Sequence, residues 1–268
     1  MPSKSINSLH SVSRMLITFV FLIVSGAIYS SEVSSEKPLR IAVASNFLET
    51  SQKLAEEFKK ASGVSVQISS GSSGKLFHQI MHGAPFDIFL SADKHKPQQL
   101  VTNSKAQPSS LNTYAKGQLM LWFKYCDGGN KLEALQNPQF KKIALANPKL
   151  APYGASTESL IRTANLWPAL KSKLVFPENI AQVAQLAKLG AVDAAFIAKT
   201  HAKNLQPDSV DSPFSCIVEL SSYHYPPIEQ QLVILKASKN QELARRFVLY
   251  LQSVPAQALI KNMGYLVD

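Results

Sequence analysis

From Pro38 onward, apolar and polar positions switch between two periods, and the order they spell is strand, helix, strand, helix, strand. Residues 39–44 (LRIAVA) form a nearly continuous apolar run, as a parallel strand buried on both faces requires. Ser45 and Asn46 break that run, and Phe47, Leu48, Leu54, Ala55 and Phe58 then share one helical face that Gly63 ends. Val64, Val66 and Ile68 alternate as a second strand. Residues 69–80 (SSGSSGKLFHQI) carry it through a glycine-serine loop into a second helix, whose apolar positions are Leu76, Phe77, Ile80 and Met81. That helix ends near Gly83, and residues 87–90 (DIFL) predict a third strand running into Ser91-Ala92-Asp93.

After a polar stretch to Lys116, residues 118–123 (QLMLWF) open a second alternating set. It comprises a helical turn at 132–135, a strand at 143–146, and a loop at 147–154 leading to a helix at 159–166. A strand at 173–176 gives way at Pro177-Glu178-Asn179-Ile180 to a helix with Val183, Leu186 and Leu189, which Gly190 stops. Strands at 194–198 (AAFIA), 216–220 and 230–235 (QQLVIL), and helices within 241–263, complete the chain. There is no repeat and no low-complexity linker. The pattern predicts two α/β halves: lobe 1 from 38–117 plus 228–268, and lobe 2 from 118–227. Two crossings between them imply a hinged clamshell whose cleft is lined by strand-to-helix loops.

The loop at 69–74 carries the most informative chemistry. Ser72 and Ser73 stand where N-cap residues stand, and the first N–H groups of the following helix have no intrahelical partner. Gly71 and Gly74 let backbone approach a ligand, and the positive end of the helix dipole favours an oxyanion. A serine-rich turn that merely caps a helix looks the same. The second polar loop, at Ser45, separates the two readings. Loops leaving parallel strands at their carboxyl ends share one sheet edge, so two helix starts would converge on one point, which capping does not require. The same residues also spell S-x-x-K as Ser72 to Lys75, with Ser110-Leu111-Asn112 in the place of an S-x-N partner. A serine acyltransferase of that kind needs K-[ST]-G as well. The nearest approach, Lys199-Thr200-His201, lacks the glycine, so the match is read as chance and no enzyme is expected.

Composition narrows the class. With 46% hydrophobic and 17% charged residues over 268 positions, the chain is ordinary globular protein. Its start differs: Lys4 and Arg14 precede an apolar run at 15–24 followed by Ser25, Gly26, Ala27, Ser30 and Ser31. This is the pattern of a cleaved secretory signal peptide at 1–30, and the run is well short of the roughly 18 to 20 apolar residues a membrane span needs. Export to the periplasm is expected. Of 28 basic residues, 26 lie beyond this segment against 18 acidic ones, so the mature chain stays near +8 and draws anions. Basic residues never run beyond pairs such as Lys59-Lys60, which argues against nucleic acid. Cys126 and Cys216 sit at strand ends, and in an exported chain both a disulfide and two buried thiols stay open. The six histidines show no ligand spacing with them. His78 and His82, four apart, read as helix surface.

With these loops placed, the mature chain resembles, along essentially its whole length, the molybdate-binding proteins of periplasmic ABC importers. The resemblance is carried by Ala42-Val43-Ala44-Ser45, by Gly71-Ser72-Ser73-Gly74-Lys75-Leu76 with Gln79-Ile80, and by residues 83–93 (GAPFDIFLSAD). Further on come Pro152-Tyr153-Gly154, Glu178-Asn179-Ile180, Tyr250-Leu251, Ala256-Gln257 and Gly264-Tyr265. It implies the type II periplasmic binding fold, an α/β clamshell in which each lobe is a mostly parallel sheet flanked by helices. It implies a monomer that captures molybdate, and tungstate with it, and delivers the anion to a membrane permease. No cofactor is implied, and molybdenum is held only as the oxyanion, with no direct bond from protein to metal. By the same resemblance Ser45 and Ser73 bind the anion through hydroxyl and N–H, and Tyr153 and Ile180 through backbone N–H. Better-known members add a tyrosine hydroxyl from the strand that here ends in Ala198. Similarity to a variant subgroup implies Asn46 and the Tyr153 hydroxyl as substitute donors. The alternative is another oxyanion or a small organic acid on the same fold. Lys75 and Lys199 flank the site as solvent-facing charge at the rim of the cleft.

Overall fold

The computed structural model describes residues 37–126, 131–205 and 215–267; the expected signal peptide lies outside them. The chain starts with β1 (Leu39–Ala44), a 3-10 turn at Ser45–Phe47, α1 (Leu48–Ser62), β2 (Val66–Gly71), α2 (Ser73–Met81), β3 (Ile88–Leu90) and α3 (His95–Thr102). β4 (Asn112–Gly117) leads into β5 (Leu119–Phe123), β6 (Ile143–Ala144), α4 (Pro152–Thr163), α5 (Trp167–Leu170), β7 (Leu174–Val175), α6 (Ile180–Lys188), β8 (Ala194–Ala198) and α7 (Lys199–Ala202). β9 (Cys216–Glu219), β10 (Ile228–Ile234), α8 (Gln241–Leu251) and α9 (Val254–Asn262) follow.

The strands form two five-stranded sheets, in the orders β2-β1-β3-β10-β4 and β7-β6-β8-β5-β9. Both belong to one compact unit, Glu36–Asp268. Each sheet is mixed in the same way. β1 pairs in parallel with β2 and β3, while β10 runs antiparallel to β3 and β4. In the second sheet β6 is parallel to β7 and β8, and β5 is antiparallel to β8 and β9. β4 passes into β5, and β9 leads on to β10, so the chain crosses twice between the sheets.

The continuous apolar runs follow from what covers them. In β1, Ile41 and Val43 face a core completed by Phe47, Leu54, Phe247 and Leu251, whereas Ala42 faces another with Leu76, Ile80 and Leu100. β3 and β10 divide alike: Ile88, Leu90, Leu232 and Ile234 go one way, Phe89 and Val233 the other. A two-residue period with both faces buried leaves no place for polar side chains. Around the second sheet, Leu121, Phe123, Ile143, Phe196 and Ile197 pack with Leu160, Ile161 and Val183. The helix stops expected at glycine are present, with Gly63 at φ 76° and its N–H on the Lys59 carbonyl at 2.8 Å, and Gly190 at φ 63°.

Three differences from the sequence pattern stand out. The polar stretch before Lys116 contains α3 and β4, whose sequences HKPQQLVT and NTYAKG bury few large apolar side chains; Leu100 and Tyr114 are the main ones. The loop expected at 147–154 is shorter, because α4 starts at Pro152, a residue whose fixed φ suits a first helical turn. Leu189, placed by periodicity on the buried face of α6, lies just beyond the helix end and is 71% exposed. The cysteines form a disulfide from the end of β5 to the start of β9, with Cα atoms 5.8 Å apart.

Candidate functional site

β1 and β2 lie side by side in parallel with Ala44 opposite Gly71, so the turn at Ser45 and the start of α2 leave one sheet edge together. Ser72 is the N-cap of α2: its Oγ accepts the Lys75 N–H at 3.3 Å. The S-x-x-K tetrad is therefore a helix cap, with the Lys75 ammonium turned outward to Glu178 at 3.2 Å. Ser73 occupies the first helical position. Its Oγ accepts the Ala92 N–H at 3.0 Å, which leaves its own proton to be donated elsewhere.

The second half supplies two further helix starts. Pro152 has no N–H of its own and puts Tyr153 and Gly154 at the open end of α4. A Cβ at Gly154 would overlap the Ala146 carbonyl oxygen and lie 2.6 Å from its carbon, so only glycine lets α4 seat against the end of β6. At α6, Asn179 Oδ1 accepts the Gln182 N–H at 3.1 Å, which leaves the Ile180 N–H uncapped. One main-chain bond joins the halves beside these termini, from Gly74 N–H to the Leu150 carbonyl at 2.8 Å.

These pieces enclose one small cavity of about 10 Å³. Ser45, Asn46, Ser73, Tyr153 and Ile180, all five expected from the sequence, line it together with Ser72. No charged side chain does. Among the described residues, the N–H groups of Ser73, Tyr153 and Ile180 have no protein acceptor, and the Ser45 hydroxyl has no protein partner. The cations expected at the rim are paired: Lys75 with Glu178, and Lys199 with Glu219 at 3.1 Å. The arrangement offers neutral donors, oriented by helix termini, to something small that accepts hydrogen bonds on several sides.

Beneath the cavity lies a buried polar layer that sequence reasoning missed. Asn46 Nδ2 donates to Gln230 Oε1 at 2.9 Å and to Tyr265 Oη at 3.0 Å. Tyr265 Oη in turn donates to the Asn46 carbonyl at 2.7 Å, which Thr200 Oγ1 also reaches at 3.4 Å. Tyr114 Oη contacts the Ser91 carbonyl and Gln230 Oε1, and Gln230 Nε2 donates to Tyr153 Oη at 3.4 Å. Burial pushes the phenols of Tyr114, Tyr153 and Tyr265 well up from their ordinary range, so all are neutral donors at physiological pH. Both hydrogens of the Asn46 amide are thus spent on protein, and the donor this residue keeps for the cavity is its main-chain N–H. The available signal was Gln230-Gln231, two amides opening the otherwise apolar run at 230–235. Ala198, at the place of the tyrosine that the resemblance led one to seek, is fully buried at the N-cap of α7.

Comparison with known proteins agrees with this geometry. The family described as bacterial extracellular solute-binding protein matches residues 39–266. The molybdate-binding protein ModA of Azotobacter vinelandii is 33% identical over 258 residues, covering 95% of this chain and 98% of that one. Its namesake from Rhodobacter capsulatus is 31% identical over 227 residues, covering 85% and 87%. Among solved structures, the periplasmic molybdate-binding protein of Azotobacter vinelandii superposes with a TM-score of 0.78 at 32% identity, covering 86% of this chain and 99% of that chain. A sulfate-binding protein from Mycobacterium tuberculosis, at 13% identity and a TM-score of 0.70, shares the fold. The chain belongs to the bacterial extracellular solute-binding proteins, a non-enzymatic family, and within them to the ModA family.

Proposed function

We propose that this protein captures molybdate, and tungstate equally, between its two halves and delivers the anion to the membrane permease of an ABC importer. The observation that carries this reading is the convergence of Ser45, Ser73, Tyr153 and Ile180 on one cavity with no charged lining. Ser45 and Ser73 donate through hydroxyl and N–H, Tyr153 through N–H and hydroxyl, Asn46 and Ile180 through N–H. Hydrogen bonds to a charged partner contribute about 1.5 to 3 kcal/mol each, so these eight groups would give roughly 12 to 24 kcal/mol gross, before desolvation and closure. Micromolar to nanomolar binding needs about 8 to 12 kcal/mol net, so a gross sum of this size permits tight binding. A fixed lysine in the cavity would hold a dianion without release; neutral donors avoid that.

Size and protonation set the selectivity. Sulfate carries the same charge but is smaller, so it leaves donors unmet. Hydrogenphosphate brings a proton that a lining hydroxyl must turn to accept, at the expense of a donor to the anion. The halves at 38–117 plus 228–268 and at 118–227 act as lobes that rock about the crossings after β4 and before β10, and the closed form docks on the permease. The working place is the periplasm, reached by the cleaved leader at 1–30, with the protein acting as a monomer.

Isothermal titration with molybdate, tungstate, sulfate, hydrogenphosphate and chromate tests the reading. The expected order puts molybdate and tungstate together and at least about a hundredfold ahead of sulfate, a gap of about 2.7 kcal/mol. Sulfate binding as tightly as molybdate would contradict it.

A further inference from the structure

We infer that Gln230 is a positioning residue which fixes the direction of the Tyr153 hydroxyl proton, and so keeps that hydroxyl a donor to the bound anion and not an acceptor from it. The inference rests on the molybdate reading and extends it to the basis of discrimination against protonated oxyanions.

Gln230 sits in β10 at 0% exposure, beside the second crossing between the sheets, on the face of the strand that also buries Ile228, Leu232 and Ile234. A fully buried amide there is costly unless each of its polar atoms is met. They are met in one orientation. The chain of constraint begins at a group that can only accept, the Asn46 carbonyl, which takes the Tyr265 proton at 2.7 Å. Tyr265 Oη then has only lone pairs to offer Asn46, so the Asn46 amide must present Nδ2 to it, at 3.0 Å. The other Nδ2 hydrogen faces Gln230 at 2.9 Å, which forces the Gln230 carbonyl oxygen to that side. Tyr114 Oη lies 3.1 Å from the same oxygen and 3.0 Å from the Ser91 carbonyl, so its one proton is shared between two acceptors. Gln230 Nε2 is thereby left for Tyr153 Oη at 3.4 Å.

A phenol oxygen already accepting from an amide donates its proton in another direction. Tyr153 is 1% exposed and lines the cavity with the two serines and Ile180. Its proton is therefore available to the anion, and its occupied oxygen cannot turn to accept from one. Hydrogenphosphate brings a P–O–H that needs an acceptor; molybdate, tungstate and sulfate do not. Without the Gln230 amide, the Tyr153 hydroxyl is free to rotate and present a lone pair. Gly117 gives the device room: a Cβ there would overlap Tyr153 Oη and come within 2.8 Å of Gln230 Nε2.

The test is a double-mutant cycle of Gln230→Met and Tyr153→Phe, with molybdate and hydrogenphosphate titrated at pH 8 by calorimetry and thermal midpoints recorded separately. Gln230→Met is expected to weaken molybdate about tenfold and to narrow the molybdate-to-hydrogenphosphate ratio by about tenfold or more, which is one lost charge-assisted hydrogen bond. In the Tyr153→Phe background the same change is expected to move neither by more than about twofold. Gln230→Asn, too short to span Asn46 and Tyr153 together, should shift the ratio in the same direction and serves if the methionine variant does not fold. Equal losses in both backgrounds, or an unchanged ratio, would overturn the inference and leave the molybdate reading intact. A wild-type protein that binds no molybdate would remove both.

Discussion

Around the cavity the first half presents side-chain hydroxyls, Ser45 and Ser73, on turns leaving β1 and β2, whereas the second half presents main-chain N–H groups at the starts of α4 and α6. The two kinds of donor fail differently. A hydroxyl is deleted by one substitution and its loss is local. A main-chain donor survives any change of its own side chain and moves only when something shifts the helix, such as the fit of Gly154 against Ala146 or the Asn179 cap. The halves also differ in how they are held. The first sheet is clamped by cores on both faces, while the second carries the Cys126–Cys216 link across 90 residues.

That link gives the largest expected effect. Replacing both cysteines with serine frees a long loop in the unfolded chain and should cost about 4 to 5 kcal/mol. The loss should fall on the second half, so urea unfolding followed by Trp122 and Trp167 fluorescence should precede the circular-dichroism transition of the whole. Coincident transitions at the wild-type midpoint would show that the halves are not distinguished in this way.

Acid should act on the second half as well. His201 on α7 is half-buried, and its Nδ1 is buried with no hydrogen-bond partner among the described residues. Burial lowers its pKa from 6.5 to about 4, with Glu49 of the first half pulling weakly the other way. The unfolded chain therefore takes up this proton first. The contribution is whole above the unfolded value and is lost as pH falls through that value toward 4, by up to about 3 kcal/mol. His201→Gln should flatten the dependence of the urea midpoint between pH 7 and 4; equal slopes in the two proteins would assign the acid sensitivity elsewhere.

Ser73→Ala and Ser45→Ala sharpen the contrast within the first half. Each removes a donor to the anion and should weaken molybdate by about 1.5 to 3 kcal/mol. Ser73→Ala also strands the Ala92 N–H and should lower the melting temperature, whereas Ser45→Ala, with no protein partner among the described residues, should leave it within error. Equal thermal shifts would contradict the assignment. The smallest effect is expected at the rim: Lys75→Ala removes an exposed pair with Glu178 across the halves and should change affinity by about 0.2 to 1 kcal/mol, vanishing at high salt.

The same asymmetry decides what could be read from the chain. Ser45 and Ser73 were legible as candidates because they put hydroxyls in loops that leave parallel strands, with a helical apolar face following each. Nothing in a side chain advertises the main-chain N–H groups of Tyr153 and Ile180, and only resemblance to known proteins pointed to those two positions. α3 and β4 were invisible since Gln98, Gln99, Thr113 and Lys116 give no apolar period. The early start of α4 was hidden by Pro152, which read as a loop residue. Asn46 and Gln230 show a different limit. Whether a buried amide faces a ligand or other protein groups depends on distant residues that meet it only in the folded chain: Tyr265 for Asn46 and Tyr114 for Gln230.

Crystals grown with molybdate and measured at the molybdenum absorption edge test the central claim most directly. A single anomalous peak between Ser45, Ser73, Tyr153 and Ile180, with oxygens within hydrogen-bond reach of both serine hydroxyls and no lysine in contact, is the expected result. A peak seated on Lys75 or Lys199, or elsewhere on the surface, would show that charge and not the convergence of neutral donors holds the anion.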